Sequence, residues 1–340
     1  MSVLKTAATQ VWKKSLLNQF NVTNLRVTDT PFWTAKFTIP GLSHESFDRD
    51  GNPKLTSLML TSVISRSHVM NRPYNNAGHV FLDWPTITKN NFTFVSSTQF
   101  TMSRWLYSPE VLKQPLDVEF VMGYVRNSSM GSVSHFYNAG KTIEEPLWSQ
   151  MNQLVYIDRE TRKPTALPDW YKNKYKDKGC MEKPVFFNPM DRPSPTYKQS
   201  VVVQWSDTDN FNHTNFASYV HWAINAIHHA IMLRDTYSNT ATQSNNTGAT
   251  SVGASPVTSF NATAAGAIAV IALPGISKNI ITNGLKDVQI RYFKESVEGQ
   301  TLDVHLWQKQ HEDNIVYSSV VRDGEDLCQI KLEYFHSVKD

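Results

Sequence analysis

The chain has 340 residues, of which 40% are hydrophobic and 11% aromatic, and its formal net charge is +3. This length and apolar content support one large or two ordinary folded domains and exclude a disordered chain. The charge is small, and no block of Lys and Arg is interleaved with aromatic residues, so we expect no nucleic-acid partner. Two cysteines, Cys180 and Cys328, exclude a disulfide framework and favour a reducing compartment.

Residues 1–28 differ in charge composition from the rest of the chain. They contain four basic residues and no acidic residue (Lys5, Lys13, Lys14 and Arg26). We interpret them as a leader, either solvated or a first helix, with an organelle presequence as the alternative. The chain lacks the continuous apolar run of a secretory signal and any apolar window of about 20 residues. We therefore expect a cytoplasmic protein without a membrane span, organellar import being the alternative.

The next segment, residues 29–171, has the pattern of one helix and one antiparallel sheet. Alternation in 32–39 predicts a strand, and apolar side chains at helical spacing predict a helix over 55–69. Further strands are predicted at 92–106, 118–125, 133–137 and 151–157. The loop before the helix contains His44, Glu45, Asp48 and Asp50. We interpret these polar residues as ordinary loop polarity, with turn chemistry at Asp50-Gly51, and not as a second active site.

Residues 172–197 are rich in Lys and Pro and poor in periodicity, which predicts an interdomain linker. Four of its lysines alternate along the chain: Lys172, Lys174, Lys176 and Lys178. A solvated charge run is the simpler interpretation. The alternative is a landing patch for an acidic carrier protein or for the phosphates of coenzyme A.

The last segment, residues 198–340, begins with a strand, a polar turn and an apolar helix. Val201, Val203 and Trp205 alternate with polar residues as in a half-buried strand, and apolar residues recur at helical spacing from Phe216. The polar residues between them therefore lie at the helix entrance. Either Thr214 or Asn215 is expected to cap the first turn, so that the positive end of the helix dipole faces Asp209 and His213.

An uncharged tract rich in Ser, Thr, Asn, Ala and Gly follows the helix, at residues 236–265. It has few bulky apolar residues, so we expect a mobile low-complexity insertion. Strands are predicted at 288–293, 302–307, 315–321 and 327–335, with a hairpin turn at 322–325. Each half of the chain then provides one helix and one curved antiparallel sheet.

Two motifs in this order carry a resemblance to a known group. Asp207-x-Asp209, His213 and Asn215, followed by Tyr219 and Trp222 on the helix, resemble the thioesterase branch of the hotdog superfamily. The run Leu285-Lys-Asp-Val-Gln-Ile-Arg-Tyr-Phe-Lys-Glu295 resembles the acyl-ACP thioesterase strand in which a Tyr precedes a basic residue and a catalytic Glu. The resemblance covers the second half closely and the first half by its pattern of elements.

The fold that this resemblance implies is an α+β double hotdog. Two antiparallel sheets would each wrap around a long central helix and pair as a pseudo-dimer within one chain. Residues 29–171 would form a degenerate hotdog that binds the acyl chain or substrate, and residues 198–340 the hotdog that carries the active site. Oligomeric state is left open, with a homodimer among the options.

The implied function is hydrolysis of acyl-ACP or acyl-CoA thioesters to free acid and thiol. Asp209 would be the catalytic carboxylate, which either deprotonates water or attacks the carbonyl itself. His213 would orient the thioester or relay a proton, and Glu295 would hold the water or raise the basicity of His213. Backbone N–H groups near Asn215 and Phe216 would stabilise the oxyanion, while the Asn215 side chain would anchor the loop or a substrate carbonyl. Asp207 is expected to be a turn or cap residue.

This sequence departs from its relatives around the motif His. Phe211 stands where acyl-ACP thioesterases have Asn, Asn212 where simpler thioesterases have Gly, and Phe216 replaces the second Asn of His-x-Asn-Asn. Asn210 or Asn212 is the expected substitute for the missing substrate-holding Asn. Tyr219 is expected in the core or in the wall of the acyl tunnel.

Two other functions and one metal site are alternatives to this interpretation. A hydratase or dehydratase signature, Asp-x-Asn-Pro-x-His-x-Asp, fits less well because Asp209 lies four residues before His213, no Pro intervenes and Asn215 replaces the last Asp. A non-catalytic acyl-binding protein with a decayed site is the other alternative. Helical spacing of His221, His228 and His229 suggests a metal, but no carboxylate or Cys cluster accompanies them. We expect no metal and no cofactor.

Overall fold

The structure, a computed structural model, describes residues 21–140, 143–209, 211–246 and 256–336, except for the side chains of 239–246 and 256–263. Contacts between Cα atoms divide the chain into two compact units, unit 1 (1–187) and unit 2 (188–340). The boundary lies inside the segment for which the sequence predicts a linker, 172–197. Among the described residues, no helix is both long enough and apolar enough to cross a membrane.

Unit 1 contains an antiparallel sheet with the strand order β1-β2-β4-β5-β6-β3. Its strands are β1 (Thr23–Thr28), β2 (Thr34–Ile39), β3 (Asn91–Met102), β4 (Leu116–Val125), β5 (Ser129–Asn138) and β6 (Trp148–Asp158). The strands predicted from alternation are present at slightly different bounds. The strand β1 corrects the expectation of a leader over 1–28, because Arg26 and Val27 pair with Lys36 and Ala35 of β2. Residues 1–20 lie outside the described part.

The long helix of unit 1 is α1 (Leu55–Asn71), which confirms the helix predicted over 55–69. Leu55, Leu58, Met59 and Val69 are among its buried residues, so one side of α1 contributes to the core. A short helix, α2 (Trp84–Ile87), follows. A further helix, α3 (Asp169–Tyr175), overlaps the predicted linker.

The lysine-rich start of the predicted linker is structured and packed on unit 1. Tyr171 and Tyr175 of α3 are buried. The Tyr175 hydroxyl donates to Asp83 Oδ2 at 2.9 Å, and Lys174 Nζ lies 2.7 Å from the same oxygen. Lys172 is paired with Asp169 at 2.9 Å. Two of the four lysines are therefore held in ion pairs within unit 1.

The strands of unit 2 are also antiparallel and follow the order β8-β11-β10-β9-β7. Its strands are β7 (Tyr197–Val202), β8 (Leu285–Tyr292), β9 (Thr301–Trp307), β10 (Ile315–Arg322) and β11 (Glu325–Tyr334). The turn between β10 and β11 places Asp323 and Gly324 at φ values of 53° and 83°. Asp-Gly tolerates this left-handed backbone, which confirms the hairpin predicted at 322–325.

Helix α4 (Phe216–Asn246) packs closely against this sheet. Ala223, Ala226 and Ala230 are fully buried along one side of the helix. Small side chains allow the helix backbone to approach the strands, and Cα atoms of α4 lie within 8 Å of Cα atoms in β7, β9, β10 and β11. The position of the N-terminal end of α4 relative to the sheet is thereby fixed.

The tract 236–265, expected as a mobile insertion, is helical where the structure describes it. Helix α4 continues to Asn246, and α5 (Pro256–Ala272) covers the end of the tract and is followed by α6 (Lys278–Thr282). A Cβ on Gly266 would lie 2.7 Å from Tyr237 Cβ, so α5 packs tightly on α4 at this point. Composition did not predict these helical stretches, and the mobility of the insertion stays a prediction. Residues 247–255 lie outside the described part.

Candidate active site

The segment between β7 and α4, residues 203–215, is named the entrance loop. The strand predicted through Trp205 ends earlier, at Val202, and the Trp205 side chain is 77% exposed. Asp207 Oδ2 accepts the N–H of Gln204 at 2.9 Å and closes a short 3-10 turn over Trp205–Asp207. This capping contact turns the chain away from the sheet. It also confirms Asp207 as a turn residue.

Asn215 caps α4. Its Oδ1 accepts the N–H of Ala217 at 2.9 Å, which satisfies one of the free donors of the first turn. The backbone N–H of Asn215 donates to the carbonyl oxygen of Asp207 at 2.7 Å. This N–H therefore already has an acceptor. Of the N–H groups near Asn215 and Phe216 that were expected to stabilise the oxyanion, the N–H of Phe216 is the remaining candidate. No acceptor for that N–H is found among the described residues.

The backbone of the entrance loop holds Asp209 and His213 together. The N–H of Asp209 donates to the carbonyl oxygen of His213 at 2.8 Å, and Asp209 Oδ1 accepts the N–H of Phe211 at 2.8 Å. Asn212 lies in the left-handed region at φ 60°. Gly and Asn adopt this conformation most readily. The loop thus requires Asn or Gly at the position where the resemblance had expected Gly.

Glu295 is brought to the same place from the other side. Its Oε1 lies 3.2 Å from Nδ1 of His213, and the two side chains are 44% and 23% exposed, respectively. Glu295 is not on the strand, as the sequence had suggested, since β8 ends at Tyr292. The charges of both His213 and Glu295 act on Asp209. The three residues expected to be catalytic therefore lie together at the N-terminal end of α4.

The pKa of Asp209 is raised above its ordinary value. Burial is the largest cause, because it disfavours the charged form. The N–H groups of Phe211 and His213 and the charge of His213 oppose this shift, while the negative charge of Glu295 adds to it. A partly desolvated carboxylate of this kind is a stronger base than an exposed one.

Ser296, which the sequence analysis did not single out, joins the two sides of the site. Its buried Oγ lies 2.6 Å from Thr214 Oγ1 and 2.9 Å from the Tyr219 hydroxyl. The N–H of Thr214 also donates to the Ser296 carbonyl oxygen at 2.8 Å. Its only sequence signal is adjacency to Glu295. These bonds fix the residue next to Glu295 against the end of the entrance loop.

Aromatic residues complete this connection. Tyr219 is 3% exposed and therefore belongs to the core, and burial raises its pKa to about 12, so its hydroxyl stays protonated. The Tyr292 hydroxyl donates to the carbonyl oxygen of Phe216 at 3.1 Å. The rings of Tyr219 and Phe216 both meet the ring of Tyr292 edge to face. The end of β8 is thereby held to the first turn of α4.

Other residues that the sequence marked lie elsewhere. His229 Nδ1 contacts the Tyr197 hydroxyl at 2.7 Å, and His221 Nε2 lies 3.0 Å from Asn225 Nδ2. In the part of the chain that the structure describes, no group of three or more His, Cys, Asp or Glu side chains is arranged to hold a metal. Asn210, one candidate for the missing Asn, lies outside the described residues.

No family model matches this sequence, and the comparison with curated proteins finds no match either. Solved structures do resemble it. A structure assigned as an oleoyl thioesterase from Lactobacillus plantarum matches with a TM-score of 0.58 and 14% identity, over 90% of this chain and 97% of that chain. A 12:0-ACP thioesterase from Umbellularia californica matches with a TM-score of 0.57 and 13% identity, over 89% and 97%.

An acyl-ACP thioesterase from Bacteroides thetaiotaomicron VPI-5482 matches with a TM-score of 0.51 and 13% identity, over 89% of this chain and 98% of that chain. This chain has the hotdog fold of the thioesterases. At these identities the likeness establishes the fold. The chemistry of the site in unit 2 must be argued from its own residues.

Proposed function

We propose that this protein hydrolyses acyl thioesters of acyl carrier protein or coenzyme A to a free acid and a thiol. One observation supports this proposal most. At the N-terminal end of α4, His213 Nδ1 lies 3.2 Å from Glu295 Oε1, and the charges of both residues act on Asp209. The hotdog fold supports the proposal, since two of the similar structures are named as thioesterases of acyl-ACP.

The first step assigned to this site is the attack of water. The water oxygen forms a bond to the thioester carbonyl carbon, and Asp209 takes the proton that the water loses. The raised pKa of Asp209 favours this role, because the desolvated carboxylate accepts a proton more readily than an exposed one. Hydrolysis then requires Asp209 to be ionised at the start of the cycle.

The carbonyl oxygen becomes negative as the tetrahedral intermediate forms. The N–H of Phe216 at the first position of α4 is the donor that we assign to it, and the positive end of the helix dipole adds to the stabilisation. Neighbouring N–H groups of Asn215 and Ala217 are already engaged within the loop and cap. The reacting carbonyl is therefore placed next to Phe216.

Collapse of the intermediate breaks the C–S bond and releases the thiol. We assign two roles to His213. It orients the thioester, and it relays the proton to the leaving sulfur. A hydrogen bond to Glu295 favours the tautomer in which Nδ1 carries the proton and Nε2 is the acceptor. Glu295 thus acts by fixing the state of the imidazole.

The alternative chemistry, in which Asp209 attacks the carbonyl itself, forms a mixed anhydride in place of the water adduct. Rapid-quench experiments separate the two. Direct attack predicts a burst of thiol release equal to the enzyme concentration and an acyl adduct on the Asp209 peptide in mass spectra. A general base predicts neither.

Thiol release across acyl-CoA and acyl-ACP substrates of several chain lengths tests the activity itself. We expect equal amounts of free acid and thiol, and a loss of about a thousandfold in kcat/KM for Asp209→Asn. Enoyl-CoA hydration without thiol release would favour the hydratase alternative. If every thioester survives while acyl ligands still bind, the non-catalytic alternative is correct.

The division of labour between the two halves is also part of the proposal. Residues 29–171 are assigned to acyl-chain binding, residues 172–197 to the linker and residues 198–340 to catalysis. A photoreactive acyl-CoA carrying its label at the chain end tests this, since peptides of 29–171 should be labelled. The pseudo-dimeric pairing of two hotdogs within the chain, and assembly into a homodimer, stay predictions.

A further inference from the structure

The buried face of the unit 1 sheet carries an unusual group of polar side chains. Gln150 and Asn152 alternate with half-buried residues along β6, and the register places Asn152 opposite Thr98 and Ser132, and Gln150 opposite Ser134. All five residues are at most 3% exposed. We name them the polar band (Thr98, Ser132, Ser134, Gln150 and Asn152). Such residues are rarely buried unless each polar atom has a partner.

Several donors in and beside the polar band lack partners. Gln150 Nε2 donates to Thr98 Oγ1 at 3.2 Å and to Asn152 Oδ1 at 2.9 Å. Among the described residues, however, Asn152 Nδ2, Ser132 Oγ and Trp148 Nε1 have no hydrogen-bond partner. Trp148 is fully buried on the same side of β6, two residues before Gln150. Each of these groups can donate, so a fitting ligand presents acceptors.

Arg66 adds a positive charge on the core-facing side of α1. It lies four residues after Ser62 and seven after Met59, so it shares their side of the helix, and both of those residues are buried. The Arg66 guanidinium has neither an ion pair nor a hydrogen bond with any described residue. Burial alone lowers its pKa to about 10. Arg66 is half-buried, and a partly desolvated cation without a counter-charge is destabilised unless a ligand supplies one.

The same side of α1 carries small polar side chains. Ser62 and Ser65 direct their hydroxyls to carbonyl oxygens of their own helix. Helix α1 also lies farther from the strands of unit 1 than α4 lies from the strands of unit 2. Since α1 is the one long helix in the described part of unit 1, its buried side and the buried face of the sheet enclose the core together.

We propose that the interior of unit 1 binds a carboxylate carried on an apolar chain, with Arg66 and the unpartnered donors of the polar band and Trp148 as its ligands. A guanidinium and neutral donors match the two acceptor oxygens of a carboxylate. Phe100 and Phe136, buried in the same sheet, provide apolar surface for the chain. The substrate class then follows, on the basis of the proposed thioesterase function: acyl thioesters that carry a carboxylate at the far end of the acyl chain.

Calorimetry on the full chain tests the carboxylate site without using turnover. Decanedioate is the probe, and 1,10-decanediol is the neutral probe of equal length. We expect decanedioate to bind at least about tenfold more tightly, which corresponds to about 1.4 kcal/mol. The preference should be lost in Arg66→Met and kept in the control Arg49→Met, because Arg49 is exposed and next to Asp50. Equal binding of both probes would overturn the proposal.

Kinetics then test the substrate class. The ratio of kcat/KM for decanedioyl-CoA to that for decanoyl-CoA should exceed about ten in the wild type and fall by about tenfold in Arg66→Met. Decanoate could instead occupy the site as the free product. If decanoate binds as tightly as decanedioate and decanedioyl-CoA is not preferred, the substrate assignment is overturned.

Two further outcomes keep the tests independent. If no thioester of any kind is hydrolysed, the proposed function fails, while calorimetry still decides the carboxylate site. Arg66→Lys guards against a folding defect in Arg66→Met: it keeps the charge but loses the planar fork, so we expect weaker binding of decanedioate with a remaining preference over the diol. Binding of decanedioate to Arg66→Lys that is no tighter than binding of the diol would contradict a charge-dependent site.

Discussion

The first helices of the two units, α1 and α4, begin in different ways. Before α4, the entrance loop presents Asp209 and His213, and Asn215 caps the helix through Ala217. Before α1, the Lys54 side chain makes no capping hydrogen bond with the described first turn, and Asp48 Oδ1 is used as a turn acceptor for two backbone N–H groups. Acidic residues precede both helices, and before α4 the charges of an imidazole and of a second carboxylate, those of His213 and Glu295, act on Asp209.

The interiors below these helices differ as well. The buried side of α4 has Ala223, Ala226 and Ala230, which bring the helix onto its sheet. On α1, buried Ser62 is followed one turn later by half-buried Arg66, and buried donors of unit 1 lack partners among the described residues. The two units therefore differ. Unit 2 has a close-packed helix with the candidate catalytic residues at its end, whereas unit 1 has a helix that lies farther from its strands and a core with unpartnered donors.

The largest effect should come from Asp209. We expect Asp209→Asn to lower kcat/KM by about a thousandfold, because the amide cannot accept the proton from water. Asp48→Asn, the matched change before α1, should leave kcat/KM within about twofold of the wild type. Thiol-release kinetics of both variants measure this contrast. Comparable losses in the two would mean that the ends of the two helices do not differ in function.

Stability provides a second measurement on the same variant. Because the pKa of Asp209 is raised in the folded state, its ionised form destabilises the fold relative to the unfolded chain. This residue favours folding below the unfolded pKa, and the benefit is lost as pH rises through the folded pKa. Asp209→Asn should therefore unfold at a higher temperature than the wild type at neutral pH. A lower melting temperature would indicate a structural role for the carboxylate.

The pH profile sharpens the role of Glu295. Activity should fall on acidification through an apparent pKa above that of an ordinary aspartate, since Asp209 must be ionised. Glu295→Gln removes a negative charge that raises the pKa of Asp209, so the acid limb should move to lower pH. We also expect kcat to fall about tenfold, because His213 loses its carboxylate partner. An unmoved acid limb would show that the limb does not report Asp209.

Packing variants test the contrast between the interiors. Ala226→Leu in α4 should reduce the free energy of unfolding by about 1–3 kcal/mol, because the helix lies close to its sheet. Ser62→Leu in α1 should cost less, since α1 lies farther from the strands of its unit than α4 does. Chemical denaturation of both variants gives the comparison. A larger loss for Ser62→Leu would contradict an effect of this difference in helix-to-strand distance.

The smallest effect concerns the backbone of the entrance loop. Asn212 lies at φ 60°, so Asn212→Gly should fold and turn over like the wild type. Asn212→Val should lose about 1–2 kcal/mol of stability, because a β-branched residue is strained in the left-handed region. Thermal melts together with thiol-release rates check both. Equal stability of the two variants would show that the loop does not depend on this conformation.

Much of the fold could be predicted because periodicity is local. Alternation placed β2 and β4, helical spacing placed α1 and the beginning of α4, and Asp323-Gly324 marked a hairpin. Bounds were missed where a side chain competes with the pattern: alternation ran through Trp205, but the Asp207 cap ends the strand before it. The helices at the two ends of the tract 236–265 were not predicted, because composition does not show that Gly266 lies against Tyr237.

The sequence alone determined the order of the catalytic candidates along the chain, and the resemblance of two local motifs pointed to Asp209, His213 and Glu295. It could not show that Asn215 uses its own N–H, that Ser296 fixes the neighbour of Glu295, or that Arg66 has no counter-charge among the described residues. Those facts depend on whether the tertiary structure brings together residues that are distant in sequence. Hydrogen bonds and desolvation depend on proximity in space and not on proximity along the chain.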